Sequence, residues 1–315
     1  MAAYVLRRLL WLPVILLIVS FVTFVLGRYG PGDPVQVLMG QHSNPAVVER
    51  IREQRGLNDP IVVQYGRYLR NVTRGDFGES FKYRGRTVAE LLKAKMWVSA
   101  QLNIAALAIS VGLGIPIGLF AALRQGSWLD TAAVSMTLLW QSVPVFLTAP
   151  GLLWVFAWKL DLLPTHGWGG LFDTRIILPA IAMGIPGVAI VTRLTRASTL
   201  EVIGQDYIRT ARAKGLPELV VRRRHILRNA LIPVVTSLGF SLAGIAFTSF
   251  VVEIFFGIPG VGNLLIEAIF ARDYPIIDGV LLIGTTMFIM ANLIVDLIYP
   301  VLDPRIRLGG SYAAQ

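Results

Sequence analysis

Along the chain, Asp, Glu, Lys and Arg vanish for long stretches and then return in clusters. Six stretches carry none of the four: residues 9–27, 96–123, 131–158, 176–192, 229–252 and 279–295. A charge at the centre of a bilayer costs about 2.5–3.5 kcal/mol on insertion scales, so an uncharged apolar run of roughly 17–25 residues marks a helix able to cross. Each of the six therefore predicts a transmembrane helix. The first follows Arg7 and Arg8 and is expected to stay as an anchor, because it outruns the apolar core of a signal peptide and no A-x-A site follows it. A further uncharged run, Ile254 to Ile266, is short and interrupted by Gly257, Pro259, Gly260 and Gly262. It reads either as a re-entrant or surface-lying segment packed on the bundle or as an ordinary outer loop.

Between the first two spans the pattern changes to amphipathic. Asn44-Pro45 and Asp59-Pro60 are helix-start signals, and Gly56 is a stop. Ile61, Val62, Tyr65, Tyr68, Leu69 and Val72 recur at helical spacing, which predicts one apolar face in need of a partner: the outer face of the bundle or another such helix. Thr87 with Glu90 forms a capping box that opens the helix of the second span. The predicted layout is an all-α polytopic membrane protein in four parts. Residues 1–28 form an N-terminal transmembrane helix and residues 29–96 a helical extracytoplasmic domain. Residues 97–302 form a core of five transmembrane helices with an inner loop at 193–229, and 303–315 form a cytoplasmic tail.

Composition agrees and adds sidedness. Apolar residues make up 55% of the 315 and charged residues only 15%, which excludes a disordered chain and argues against a soluble enzyme. The net charge of +10 is compatible with nucleic acid, anionic lipid or the cytoplasmic loops of a membrane protein until the charges are placed. With the N-terminus inside, short inner segments carry 14 Lys and Arg against three in short outer loops, so both termini are expected in the cytoplasm. The excess is largely topological. A nucleic-acid partner is not expected, since the basic inner loop has only Tyr207 as an interleaved aromatic.

Candidate chemistry is sparse. There is no cysteine, the histidines His42, His166 and His225 make no H-E-x-x-H pair, and no G-x-x-x-x-G-K-[ST] or G-x-S-x-G sequence occurs. No catalytic residue, metal site or cofactor is expected in this chain, so any ATP dependence must be borrowed. The spans also lack the intramembrane Asp, Glu or His relays common in proton-coupled carriers, which weighs against a secondary carrier or channel without excluding one. Glu253 and Asp296 bracket the last two spans and are expected to hold structure near the membrane surfaces.

The inner loop is the informative segment. Asp206, Tyr207, Arg209, Thr210, Ala211, Arg212, Ala213 and Lys214 read as a helix stopped by Gly215, and Pro217 opens a second helix running to Arg228. Ala211 and Gly215, four apart, suggest a small-residue notch rimmed by Arg209, Arg212 and Lys214. A merely topogenic basic loop would account for the same residues. The triplet Arg222 to Arg224 reads as topogenic or lipid-facing.

The run Asp206-Tyr-Ile-Arg-Thr-Ala-Arg-Ala-Lys-Gly215-Leu, followed by His225-Ile-Leu-Arg-Asn-Ala-Leu-Ile-Pro233, resembles the EAA loop of bacterial ABC importer permeases, specifically the dipeptide, oligopeptide and nickel group. The resemblance extends through Tyr4-Val-Leu-Arg-Arg-Leu-Leu10, Pro31-Gly-Asp-Pro34, Gly75-Asp-Phe-Gly78, Pro259-Gly-Val-Gly262, Arg272-Asp-Tyr-Pro275 and Leu302-Asp-Pro-Arg-Ile-Arg307. Arg209-Thr210-Ala211 stands where the wider superfamily has Glu-Ala-Ala. The large outer domain is similar to that of the first of the two permease subunits in such transporters. The resemblance implies a type I importer fold and translocation of di- or oligopeptides by alternating access, with nickel chelates as the alternative cargo. Residues 206–215 would then couple to a cytoplasmic ATPase. It further implies a second homologous permease subunit, one or two ATPase subunits that hold ATP and Mg, and an extracytoplasmic binding protein.

Overall fold

The computed structural model describes residues 2–29, 45–54, 58–243 and 250–302. Among these the chain is helical, with no extended strand. Helix α1 (Ala2–Tyr29) is followed by the short α2 (Pro45–Gln54) and α3 (Ile61–Val72), then by the 36-residue α4 (Val88–Leu123). Next come α5 (Trp128–Ser142), α6 (Val145–Leu152) and α7 (Ile177–Ile203). The inner loop contributes α8 (Asp206–Ala213), and the chain finishes with α9 (Arg228–Ala243), α10 (Phe250–Phe255), α11 (Val261–Ala271) and α12 (Tyr274–Leu302).

Four of the six expected spans are single helices long and apolar enough to cross: α1, α4, α7 and α12. The third, expected to be continuous over 131–158, is instead bent by 99° between α5 and α6. Pro144 is the cause. It pushes Val143 out of the helical region to φ −84°, ψ 118°, and its ring blocks the continuing turn. Beyond α6 the turns widen to a π-helical segment, Leu153–Lys159. The fifth stretch, 229–252, is helical through α9 and again in α10, and residues 244–249 between them lie outside the described set.

The bundle is centred on α4 and α7, which pack along most of their length. Apolar tails offer lipid and protein alike, so close packing rather than water exclusion must hold such a pair together. Gly118 on α4 provides it: a Cβ there would stand 2.5 Å from the Thr192 carbonyl of α7. The Ser110 hydroxyl lies 2.9 Å from both the Ala106 and Gly184 carbonyls, joining the two backbones at mid-span.

The amphipathic α3 finds its partner on α1. Tyr65 lies 5.3 Å, ring to ring, from both Phe21 and Phe24, and Tyr68 lies 5.3 Å from Phe24. The Tyr65 hydroxyl donates to the Leu17 carbonyl and sits 2.8 Å from Ser20 Oγ. Val62 does not join this face and is 77% exposed. The Asp59-Pro60 start signal marks the right place but not the expected cap: Pro60 occupies the N-cap, and Asp59 pairs with Arg67. Thr87 caps α4 as expected, its Oγ1 accepting from the Glu90 amide. Pro45 opens α2, whereas Asn44, Gly56, the 31–34 string and the 303–315 tail lie outside the described residues.

The segment 254–266 is packed on the bundle and is no plain loop. Phe256, Ile258, Val261 and Leu264 are all at most 2% exposed. It forms a hairpin, α10 turning into α11, that sits against α4, α6 and α12.

Candidate coupling site and the outer clamp

The inner loop is built as a hairpin with its own core. Asp206 places a negative charge on the first turn of α8, favourable to the helix dipole, and Arg212 places a positive one on the last. The helix stops in a Schellman motif: the Gly215 amide donates to the Arg212 carbonyl at 2.9 Å, and the Leu216 amide to the Ala211 carbonyl at 3.4 Å. That motif needs a left-handed residue, and Gly215 supplies it at φ +75°. Pro217 then starts a turn through Glu218–Val220 that runs by way of the π-helical Val221–Leu227 into α9.

Ile208, Ala211, Val221 and Ile226 form a buried core, each at most 5% exposed, with Val202 and Ile203 of α7 packed against it. This corrects the expected notch. Ala211 faces the loop's own interior, and Gly215 lies past the helix end with open space where a side chain would go. The two residues do not share an outward face, because Gly215 ends the helix, as expected, and so does not continue the face that Ala211 occupies. What α8 and the following turn present outward is Asp206, Tyr207, Arg209, Thr210, Ala213 and Lys214, with Leu216, Leu219 and Val220 adding apolar surface. Arg209 pairs with Asp206 at 3.1 Å on the exposed face.

Arg212 is turned to structural use. Its guanidinium reaches the Glu218 carboxylate at 3.0 Å, and Arg222 approaches the same group at 3.4 Å. Arg212 first, and Arg222 after it, hold the Glu218 carboxyl below the ordinary glutamate range. Exposed pairs of this kind contribute little energy each, but they fix the angle between the two arms of the hairpin.

A second ion pair ties this hairpin's root to the rest of the bundle. On α7, Arg196 donates through Nε and Nη2 to the two oxygens of Asp130 at 2.6 and 2.7 Å, and the Gly126 amide adds a third bond at 3.1 Å. Asp130, on the first turn of α5, has a side chain only 4% exposed. A bidentate pair on a buried carboxylate is geometrically exacting. It joins the α4–α5 turn to α7. In sequence these two residues read only as a span boundary and a topogenic charge.

At the other end of the bundle, Glu253 has the structural role expected of it. Its carboxylate accepts from Ser99 Oγ at 2.6 Å and from the Asn263 amide at 2.9 Å. The Val261 amide donates in turn to Ser99 Oγ at 2.9 Å. The N-terminus of α11 is thus capped by a carboxylate from the preceding helix, because its own N-cap, Gly260, has no side chain. A methyl on Gly260 would overlap that carboxylate. Asp296 lies on α12 beyond the residues whose side chains are described. Nearby, Asp273 accepts from Ser80 Oγ at 2.5 Å and from the Lys82 amide at 2.9 Å. Glu267 accepts from Lys82 Nζ at 2.6 Å and the Tyr83 hydroxyl at 2.5 Å, and these two, Lys82 foremost, hold its carboxyl below the ordinary range. Segment 76–87 is clamped in this way to α11 and the α11–α12 turn.

Among the described residues no three His, Cys, Asp or Glu side chains gather as a metal site. Long apolar helices, a bent span, a hairpin packed on the bundle and a self-cored loop between α7 and α9 define a multi-pass membrane protein. The chain belongs to the binding-protein-dependent transport system inner membrane component family, whose model matches residues 114–308, with the N-terminal model of the same group matching residues 1–90. It is 40% identical over 308 residues to the dipeptide transport system permease protein DppB of Bacillus subtilis, covering 98% of this chain and 99% of that one. It is 38% identical over 308 residues to the oligopeptide transport system permease protein OppB of Salmonella typhimurium, covering 98% and 100%. A probable peptide ABC transporter permease protein, y4tP of Sinorhizobium fredii, is 36% identical over 313 residues, with 98% and 100% covered. Among solved structures, a chain of the inward-facing MetNI methionine ABC transporter superposes with a TM-score of 0.55 at 15% identity, over 68% of this chain and 96% of that one. The fold is that of the type I ABC importer permeases, in a multi-pass protein of the inner membrane.

Proposed function

We propose that this chain is one of two permease subunits of an ATP-driven importer of di- and oligopeptides. The observation that carries the reading is end-to-end similarity, at 36–40% identity, to permeases named for dipeptide, oligopeptide and peptide transport. The chain forms part of the path across the bilayer with a second, homologous permease. One or two cytoplasmic ATPase subunits hold ATP and Mg²⁺, and an extracytoplasmic binding protein delivers the cargo. Both termini face the cytoplasm, a reading supported by the 14-to-3 distribution of Lys and Arg over short segments.

In this account residues 206–220 dock in a cleft of the ATPase. Tyr207, Leu216 and Leu219 supply apolar contact, Asp206, Arg209, Thr210 and Lys214 supply polar contact, and Ala213 allows close approach. Ala211, Arg212 and Gly215 serve indirectly, by keeping the hairpin in shape. Closure of the ATPase pair by ATP favours one conformer of the permease pair, and the rigid hairpin carries that bias into α7 and α9. The Arg196–Asp130 pair extends it to α4 and α5.

The test is uptake into proteoliposomes holding the full complex, with labelled dipeptides and oligopeptides competed against nickel chelates. Accumulation that needs ATP, the ATPases and the binding protein, and that peptides but not nickel chelates compete, is expected. Nickel-chelate uptake without peptide competition would overturn the cargo assignment.

A further inference from the structure

Directly before the uncharged stretch 229–252 stand three consecutive arginines, Arg222, Arg223 and Arg224, with Arg228 four residues on. No Asp or Glu occurs between Glu218 and Glu253. The run is wound as a π-helix, Val221–Leu227, in which each amide bonds five residues back, so residues five apart come one above the other. Val221 and Ile226, five apart and both 0% exposed, show this register: they share the face turned into the loop's own core. Arg223 and Arg228 are also five apart, Arg224 stands beside them, and all three are exposed. Glu218 treats the arginines unequally. It takes Arg212 and Arg222 at 3.0 and 3.4 Å, whereas Arg223, Arg224 and Arg228 have no ion-pair partner among the described residues. At 1.5 Å per residue, all three lie within about 9 Å of Asn229, where the uncharged stretch read above as a span begins. The headgroup layer is about 5–8 Å deep on each side of a bilayer, so guanidiniums on long side chains reach it from these positions.

We infer that Arg223, Arg224 and Arg228 form a binding site for the phosphate of an anionic phospholipid at the root of α9. The guanidinium fork matches phosphate oxygens in pairs, and cations near an anionic leaflet draw its lipids to them. A topogenic signal counts Lys and Arg alike, wherever in a short loop they fall. It does not account for one arginine of a triplet being neutralised while two, with Arg228, are left clear of carboxylates on one side of the helix. The residues set against the ATPase in the reading above end at 220, and Arg228 opens α9, which enters the uncharged stretch at once. The face therefore meets headgroups rather than a soluble subunit. The inference rests on the span at 229–252 and is independent of the cargo.

The test places the complex that contains this chain in vesicles of equal parts phosphatidylglycerol and phosphatidylcholine, re-extracts it in mild detergent and measures the co-purified lipid by mass spectrometry. The parent is expected to retain phosphatidylglycerol in preference. Arg224→Gln should lower that preference about fivefold, the effect of one cation near an anionic surface, and Arg222→Gln should leave it unchanged because Glu218 already holds Arg222. Replacing Arg223, Arg224 and Arg228 together by Lys keeps the charge, and hence the topology, but loses the forks, and should retain only part of the preference. Equal losses from Arg222→Gln and Arg224→Gln, or full preference in the triple Lys variant, would reduce the face to diffuse charge and overturn the inference. No lipid preference in the parent would overturn it too, whether thermal stabilisation by inorganic phosphate then assigned the arginines to a free anion or cross-linking of Arg224→Cys assigned them to the ATPase.

Discussion

Replacing Glu253 by alanine should loosen the re-entrant hairpin from the bundle, and the size of the effect follows from the bonds it removes. The carboxylate is 2% exposed and accepts from Ser99 Oγ and the Asn263 amide at 2.6 and 2.9 Å. Hydrogen bonds to a charged group contribute about 1.5–3 kcal/mol each, and truncation leaves both donors buried and unmet. Against this stands the desolvation that the native carboxylate already bears, which amounts to several kcal/mol and is relieved on truncation. The net loss should lie near the low end of the sum, about 3 kcal/mol. At about 2–4 °C per kcal/mol, the scale for domains of 150–250 residues, that is a fall of at most roughly 6–12 °C in this longer chain. The assay is thermal unfolding of the purified complex in detergent at a fixed scan rate, since such proteins unfold irreversibly. Amide exchange across 258–265 should speed up in parallel. Glu253→Gln keeps one acceptor oxygen and should fall between. A Glu253→Ala protein with a Tm within about 1 °C of the parent and unchanged exchange would refute the assignment of this carboxylate as the cap that holds α11.

Two further predictions concern the loop between α7 and α9 and the ion pair at its root. At Gly215 the left-handed backbone costs any other residue about 1–2 kcal/mol, yet a Cβ would meet nothing within 4 Å in this chain. Gly215→Ala and Gly215→Leu should therefore be destabilised about equally and retain similar uptake; uptake near normal in the first and lost in the second would show instead that Gly215 itself lies against the ATPase. Asp130→Ala leaves Arg196 partly buried without its bidentate partner and should cost about 3 kcal/mol, most of it recovered in a double variant with Arg196→Met. Additive losses in that thermal cycle would show that the pair does not couple.

Much of the fold was legible because a bilayer imposes a crude rule, and four of the six uncharged stretches are single helices able to cross. What the rule tests is composition, not continuity, so the bend inside 131–158 escaped although Pro144 stood in plain view. The loop fared similarly. Spacing of four between Ala211 and Gly215 implies a shared face only if the helix spans both, and the Schellman stop at Gly215 denies it. The residues proposed to dock were legible as a string, but which of them face outward was not, since burial of Ala211 depends on Val221 and Ile226 across the turn. The outer clamp was least legible. Ser99 and Val261 are 162 residues apart, and Ser80 and Asp273 are 193 apart; nothing local marks either serine as a partner. Arg196 and Asp130 each had a sufficient local explanation as a charge at a span end, which hid their pairing.

The absence of cysteine gives a clean route to the central claim, that ATP-driven motion enters through residues 206–220. A single cysteine at Arg209, on the exposed face of α8, can be joined by a short bis-maleimide to single cysteines lining the cleft of the partner ATPase, with a cysteine at Arg175 in the α6–α7 connection as the control. The measurement is cross-linking in sealed vesicles followed by uptake. The account predicts adducts between Arg209→Cys and the ATPase, loss of uptake on cross-linking, and no ATPase adduct from Arg175→Cys. Adducts with the ATPase from Arg175→Cys and none from Arg209→Cys, in an actively transporting complex, would contradict it.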